Sequence, residues 1–187
     1  MQQFYPYLLL IHIVSALALF ACEGVGIVST QLLKRARDID GFRSVVAVTK
    51  SAGGIGKFAP LLLLLTGLAL SLITWGGLRL AWVNLSLLIF VLIALGVNLV
   101  DAKLLRQLEA QATAGDFAAG QTLARSRALS ISTILRLTAL LGLVFLMTLK
   151  PTLVPALLGL SLIFAVGLGV ALKSHLGQLN VPQIKQV

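Results

Sequence analysis

The chain has 187 residues, of which 58% are apolar and only 11% are charged. Soluble globular domains are about 45–50% apolar and about 25% charged, so this composition excludes an ordinary soluble domain. It also excludes a disordered chain, which needs low hydrophobicity and high charge. A single cysteine excludes an internal disulfide framework. The net charge of +9 therefore belongs to an integral membrane protein, whose expected partner is the lipid bilayer and not nucleic acid.

Five apolar runs follow one another along the chain, each close to the roughly 20 residues that a helix needs to cross the hydrocarbon core. None of them alternates polar and apolar residues, as the strands of a membrane barrel would. The sequence therefore predicts an all-α membrane bundle that forms one domain over residues 1–187. Its five transmembrane helices are predicted at about 6–33, 58–75, 82–100, 128–149 and 154–172.

The basic residues outside these runs alternate in number along the chain. The segments that follow the five runs carry 6, 1, 4, 1 and 2 Lys or Arg. Because cytoplasmic loops carry the excess of Lys and Arg, the N-terminus is predicted outside and the C-terminus inside a bacterial cytoplasmic membrane. Four aromatic side chains fall at the predicted outer boundary, where amphipathic rings prefer to lie: Tyr5, Tyr7, Trp75 and Trp82.

The two longer segments on the predicted cytoplasmic side are expected to be partly helical. Residues 101–127 are predicted to form a helical hairpin, with Gly115 ending its first helix and Asp116 capping its second. An apolar stripe continues along the first of these helices, through Leu104, Leu105, Leu108 and Ala112. Residues 34–57 are predicted to form a short amphipathic helix and a flexible, glycine-rich turn.

Three ionisable residues lie inside the apolar runs: His12, Glu23 and Arg136. Such residues are costly in lipid and are functional hypotheses by default. His12 and Glu23 are eleven residues apart, so they share one helix face but are separated by about 16 Å along the axis. Glu23 and Arg136 lie at matching depths in the first and fourth runs. The sequence therefore predicts an intramembrane ion pair between them, with either a packing role or a role in a proton or ion path.

His12 has two interpretations. It can be a neutral imidazole bonded to a neighbouring hydroxyl or carbonyl group, or it can be a ligand to haem iron or copper. Met147, near the outer end of the fourth run, lies at roughly the same depth and is the candidate second ligand. Methionine also commonly packs in apolar cores, so Met147 can equally be a packing residue.

Short motifs in this chain resemble a group of small bacterial membrane proteins. The motifs are Leu8–Gly26, Leu65-Thr66-Gly67-Leu68, the turn at 77–82 and Ala114-Gly115-Asp116. They resemble an uncharacterised predicted integral membrane family, with relatives among copper-resistance protein D-like proteins and the membrane-bound, haem-binding protoporphyrinogen oxidase. The resemblance to that oxidase implies a haem ligand at the histidine of the first helix, which is His12.

Three functions remain open at this point, and the sequence does not decide whether the protein is an enzyme. The first is a haem b- or copper-binding redox protein centred on His12. The second is a small proton, ion or metal transporter that uses Glu23 and Arg136. The third is a non-catalytic subunit of a larger membrane complex or a homo-oligomer. Small residues would allow close helix contacts in each case: Gly142, Gly159, Ala165 and Gly169.

Overall fold

The structure, a computed structural model, describes residues 2–74 and 76–179. Trp75 and the C-terminal residues that include Lys185 lie outside the described residues. Eight α-helices are found in the described part of the chain: α1 (Tyr5–Arg35), α2 (Ile39–Ile55), α3 (Phe58–Thr74), α4 (Ala81–Gly96), α5 (Ala102–Ala114), α6 (Phe117–Ala124), α7 (Arg127–Leu149) and α8 (Leu153–Leu179). A π-helical turn, Val97–Asp101, joins α4 to α5 without a break.

Five helical segments are long and apolar enough to cross a membrane: Tyr5–Arg35, Ile39–Thr74, Ala81–Ala114, Arg127–Leu149 and Leu153–Lys173. The described residues contain no strand. The predicted all-α bundle with five spans is thus confirmed. We call the end of the bundle that carries Lys34 and Arg127 the basic end. The opposite end, which carries Tyr7 and Trp82, is the aromatic end.

Helix α1 is longer than a bilayer requires. Its 31 residues correspond to about 46 Å at the helical rise, against about 30 Å of hydrocarbon. Helices α2 and α3 run back along α1 and meet at Gly56, where a Cβ would lie 3.6 Å from Sγ of Cys22. The exposed Lys57 follows Gly56, so a charged side chain lies at the level of Cys22. The part of α1 beyond that level therefore packs mainly against the helices of the basic end.

The segment before α3 is more ordered than the sequence predicts. Helix α2 has 17 residues, so the expected short helix and flexible, glycine-rich turn are corrected to one long helix. Asp38 caps it by accepting a hydrogen bond from the Gly41 amide at 2.7 Å. The helix also buries Phe42 and Val46 in a hydrophobic cluster at the basic end, which we call the second core. Its buried residues are Leu33, Phe42, Val46, Leu108, Ala112 and Ala124. Capping and burial together outweigh the low helix propensity of its glycines.

The hairpin of α5 and α6 has the turn that the sequence predicts. Gly115 adopts a positive φ of 77° at the end of α5, and the Asp116 carboxylate accepts a hydrogen bond from the Ala119 amide at 2.9 Å. Leu108 and Ala112 are buried in the second core. The hairpin therefore packs onto α1 and α2 at the basic end.

Helices α7 and α8 approach closely through glycines, although not all of the predicted ones. A Cβ on Gly159 would lie 2.2 Å from the Phe145 ring, and a Cβ on Gly167 would lie 2.2 Å from Oγ1 of Thr138. Ala165 is exposed, and no atom of the described residues lies within 4 Å of a Cβ on Gly169. The prediction for Ala165 and Gly169 is therefore wrong, because α8 is apolar on every side and its sequence does not mark the packed face.

Candidate functional site

An apolar cavity of about 480 Å³ lies between α1, α3, α4 and α7, on the aromatic side of the bundle. Its volume falls within the range of about 300–1,000 Å³ that is typical of small-molecule sites. Most of the lining is aliphatic or aromatic, and no Asp, Glu, Lys or Arg is among the described residues that line it. Among the described residues, the side chains in the lining that carry a polar N or O atom are those of His12, Ser71, Trp82, Ser86 and Thr148.

His12 is held by a hydrogen bond that determines its tautomer. Nδ1 of His12 lies 3.0 Å from Oγ1 of Thr66, and the Thr66 hydroxyl donates to the carbonyl oxygen of Leu62 at 2.6 Å. A hydroxyl has one proton, and the contact with Leu62 is the shorter of the two. With that proton donated to the Leu62 carbonyl, Thr66 accepts from His12, and Nδ1 carries the proton. We assign the tautomer from this network. The lone pair of the neutral ring is then on Nε2, which leaves that atom able to act as a ligand or an acceptor.

Gly67 makes room for the imidazole. A Cβ at this position would lie 2.9 Å from Cε1 of His12, closer than two such atoms can approach. Gly67 also lines the cavity. The Thr66-Gly67 pair of α3 thus orients the His12 ring through Thr66 and accommodates it at Gly67.

Met147 lines the same cavity from α7. The structure therefore brings together the two candidate ligands, which are 135 positions apart in the sequence. Among the described residues, no group of three His, Cys, Asp or Glu side chains could hold a metal ion. The candidate metal or haem ligands in this part of the chain are thus His12 and Met147.

Ser71 and Ser86 line the cavity with different hydrogen bonding. The Ser86 hydroxyl donates to the carbonyl oxygen of Trp82, one helical turn earlier, at 2.7 Å. Ser71 is only 2% exposed, and its Oγ is the buried side-chain oxygen that has no partner within the described part of the chain. A buried hydroxyl without a partner is uncommon and calls for an explanation.

A second polar site lies toward the basic end, around Arg136. Its Nε lies 3.0 Å from Oε2 of Glu23, and its Nη1 bonds Oδ2 of Asp101. Ser132, one turn before Arg136, donates to the other oxygen of Asp101 at 2.6 Å. The side chains of Arg136, Glu23 and Asp101 are 14%, 16% and 15% exposed, respectively. Glu23 and Arg136, which the sequence places at matching depths in the membrane, are thus in direct contact.

The sequence does not predict the part played by Asp101. Asp101 directly follows the third apolar run and was predicted to begin the helical hairpin of residues 101–127, with no partner assigned to it. In the structure it ends the π-helical turn, and α4 continues through this turn into α5. Ser132 and Arg136 are four residues apart, so they share a face of α7. Two hydrogen-bond donors on one helix face indicate a nearby acceptor group, so the spacing of Ser132 and Arg136 was the sequence signal that could have pointed to a carboxylate partner.

The cavity and the charged cluster are separate sites. His12 and Glu23 lie on α1, eleven residues apart, or about 16 Å along the helix axis. Neither Glu23 nor Arg136 lines the cavity. A role for one site therefore does not imply a role for the other.

Residues 6–151 match a sequence family described as predicted integral membrane protein (DUF2269). The chain belongs to this family. The match extends from the start of α1 to the end of α7 and so covers both the cavity and the charged cluster. No curated protein and no solved structure matches the chain.

Proposed function

We propose that this family member is a membrane redox protein that binds haem b in the cavity, with Nε2 of His12 as the ligand to iron. The observation that carries this proposal is the Thr66 hydrogen bond to Nδ1, because it leaves Nε2 unprotonated on a side chain that lines an apolar cavity. A hydrogen bond to the second ring nitrogen is how proteins orient ligating histidines.

The other residues of the cavity fit an apolar macrocycle. The volume of about 480 Å³ suits a cofactor-sized molecule, and the aliphatic lining would exclude water. Met147 lines the same cavity and would be the second ligand, and a His/Met pair raises the potential of haem iron. Bound haem b would supply one-electron redox chemistry. The protein would then orient the His12 ring through Thr66, accommodate that ring at Gly67 and keep water away from the haem with its apolar lining.

Copper is the alternative occupant, since imidazole and thioether groups both bind Cu(I). His12 and Met147 would be its ligands. Haem is favoured because a single ion would fill only a small part of the cavity. Metal analysis of the purified protein separates the two, since haem gives iron with a Soret band and copper gives neither.

The first prediction concerns the absorption spectrum of protein purified in detergent and titrated with haemin. The wild type should show a Soret band with saturable binding, and His12→Ala should weaken binding at least about tenfold, because the iron loses its protein ligand. Met147→Leu should retain binding but shift the reduced spectrum and lower the midpoint potential. A wild type that binds no haemin, or a His12→Ala variant with an unchanged spectrum and affinity, would overturn the proposal.

For the charged cluster we propose a packing role instead of transport. One guanidinium group holds carboxylates from α1 and from the end of the π-helical turn, and so ties both to α7. A transporter that uses Glu23 and Arg136 should lose proton or ion flux in liposomes when Glu23 is replaced by Gln, while His12→Ala keeps it. An accessory subunit should instead co-purify with other membrane proteins in stable proportion.

We also propose that the basic end faces the cytoplasm of a bacterial cell, on the alternation of basic residues between the spans. In a Cys22→Ser background, which contains no other cysteine, Arg79→Cys and Thr113→Cys place single exposed thiols at opposite ends. An impermeant maleimide added to whole cells should label the first variant and not the second. Labelling of the Thr113→Cys variant alone would show the opposite orientation, with the basic end outside the cell.

A further inference from the structure

We propose that the basic end carries a binding site for the headgroup of an anionic phospholipid. The residues of the site come from the end of α1, the turn before α7 and the first turn of α7: Lys34, Arg125, Arg127 and Ser130. The site lies apart from the cavity, and the inference does not depend on the proposed haem function. The ligand that it would take is a phosphate diester with a net negative charge and two acyl chains.

Three cationic side chains meet at the junction of α1 and α7. Nζ of Lys34 donates to Oγ of Ser130 at 2.9 Å, and this bond ties the two helices together. Arg127 precedes Ser130 by three residues, so their side chains are neighbours on the surface of α7. Nη2 of Arg125 donates to the carbonyl oxygen of Lys34 at 3.3 Å. One ammonium group and two guanidinium groups therefore lie around the same point.

No acidic side chain of the described residues balances these three cations. The chain has six Asp or Glu residues, and each of them is engaged elsewhere. Four pair with Arg43, Lys50 or Arg136, and the other two cap α2 and α6. Lys34 is half-buried, and its ammonium group donates to a neutral hydroxyl. Because like charges held together repel one another, a bound anion would stabilise this junction.

The junction lies at the depth of the lipid headgroups. Ser130 is 20 residues from Lys150, the residue that caps the other end of α7, or about 30 Å along the helix axis. Nζ of Lys150 lies 5.7 Å from the centroid of the Trp82 ring, and tryptophan prefers the membrane–water boundary. The hydrocarbon core is about 30 Å thick. With Trp82 at one boundary, Ser130 therefore lies at the opposite boundary, where the phosphates of that leaflet begin.

An exposed apolar stripe leads from the cations toward the hydrocarbon. Arg127, Ile131 and Leu135 are four residues apart in turn, so they lie along one face of α7. Ile131 is 45% exposed and Leu135 is 44% exposed. An acyl chain would contact these two side chains while the phosphate contacts the cations. Free phosphate would gain nothing from the stripe, so the geometry favours a lipid.

The local charge favours an anionic headgroup over a zwitterionic one. Phosphatidylglycerol and phosphatidylcholine share the phosphate, but choline adds a fixed positive charge that three nearby cations would repel. Basic pockets between membrane helices on the cytoplasmic side bind anionic headgroups in other proteins. The proposed orientation of the chain places the basic end on that side.

The test measures the binding of single lipids to the full chain in detergent by native mass spectrometry. The probes are phosphatidylglycerol and phosphatidylcholine, both with dioleoyl chains, so they differ only in the headgroup. The wild type should bind phosphatidylglycerol at least about tenfold more tightly than phosphatidylcholine. Lys34→Gln and Arg127→Gln should each weaken phosphatidylglycerol binding about fivefold and leave phosphatidylcholine binding unchanged.

Lys50→Gln is the matched control. It also removes one positive charge from the basic end, but the Lys50 ammonium group already pairs with Glu109 at 3.1 Å. Its replacement should leave the ratio of the two lipid affinities unchanged. Thermal midpoints of all variants in detergent without added lipid would show that a lost lipid preference does not reflect lost folding.

Inorganic phosphate is the second probe, because it shares the phosphate chemistry and has no acyl chain. In large molar excess it should leave phosphatidylglycerol bound, and displacement of the lipid would assign the site to free phosphate instead. Equal affinity of the wild type for the two lipids would overturn the proposal. So would a preference for phosphatidylglycerol that Lys34→Gln and Arg127→Gln leave unchanged.

Discussion

Replacing Arg136 by Met is expected to destabilise the protein by about 3–5 kcal/mol, the usual loss when one partner of a buried ion pair is removed. The substitution would leave the carboxylates of Glu23 and Asp101 without their cation. Both are only about one-sixth exposed. We expect a large drop in the detergent-solubilised yield and in the thermal midpoint, measured by fluorescence-detected size-exclusion chromatography after heating.

Two controls isolate the electrostatic cause. Arg127→Met removes an exposed cation from the same helix and should behave like the wild type. Combining Arg136→Met with Glu23→Gln and Asp101→Asn removes the uncompensated charges and should recover most of the lost stability. A thermal midpoint for Arg136→Met equal to that of the wild type would show that the cluster does not hold α1 and α7 together.

Replacing Gly167 by Leu should separate α8 from α7. A single Cβ at this position would already lie 2.2 Å from Oγ1, 2.7 Å from Cγ2 and 2.9 Å from Cβ of Thr138, and those are the near atoms of a short side chain. The helices must therefore move apart. Overpacking of this kind costs about 1–3 kcal/mol and sometimes more, and we expect a lower thermal midpoint and faster proteolysis of α8.

Gly169→Leu is the matched control for this prediction, because Gly169 lies on the same helix and, in the part of the chain that the structure describes, no atom lies within 4 Å of a Cβ built at this position. It should leave the thermal midpoint unchanged, since the added side chain would extend into lipid. Gly159→Leu should lower the thermal midpoint as Gly167→Leu does, because a Cβ at position 159 would lie 2.2 Å from the Phe145 ring. Equal behaviour of the Gly167 and Gly169 variants would mean that α8 does not pack on α7 in this register.

The sequence alone determined the main architecture of the protein. The length and apolarity of the runs predicted five spans, since backbone groups in lipid must be satisfied within helices. Local signals were also sufficient for the hairpin of α5 and α6, where Gly115 adopts the positive φ that glycine favours and Asp116 caps the helix that follows. Depth along each span was enough to relate Glu23 to Arg136, because helical rise is constant.

Only the tertiary structure decided which faces of these helices meet. Apolar helices in lipid carry little amphipathic signal, so the rotation of α8 could not be obtained from the sequence, and Gly167 was missed. The role of Asp101 was missed because only the packing of α4 and the π-helical turn against α7 brings it to Arg136. The cavity, the proton on Nδ1 of His12 and the unpartnered hydroxyl of Ser71 all depend on contacts between α1, α3, α4 and α7. Such contacts are set by packing between residues far apart in the chain, such as His12 and Thr66, and by no local preference of the residues themselves.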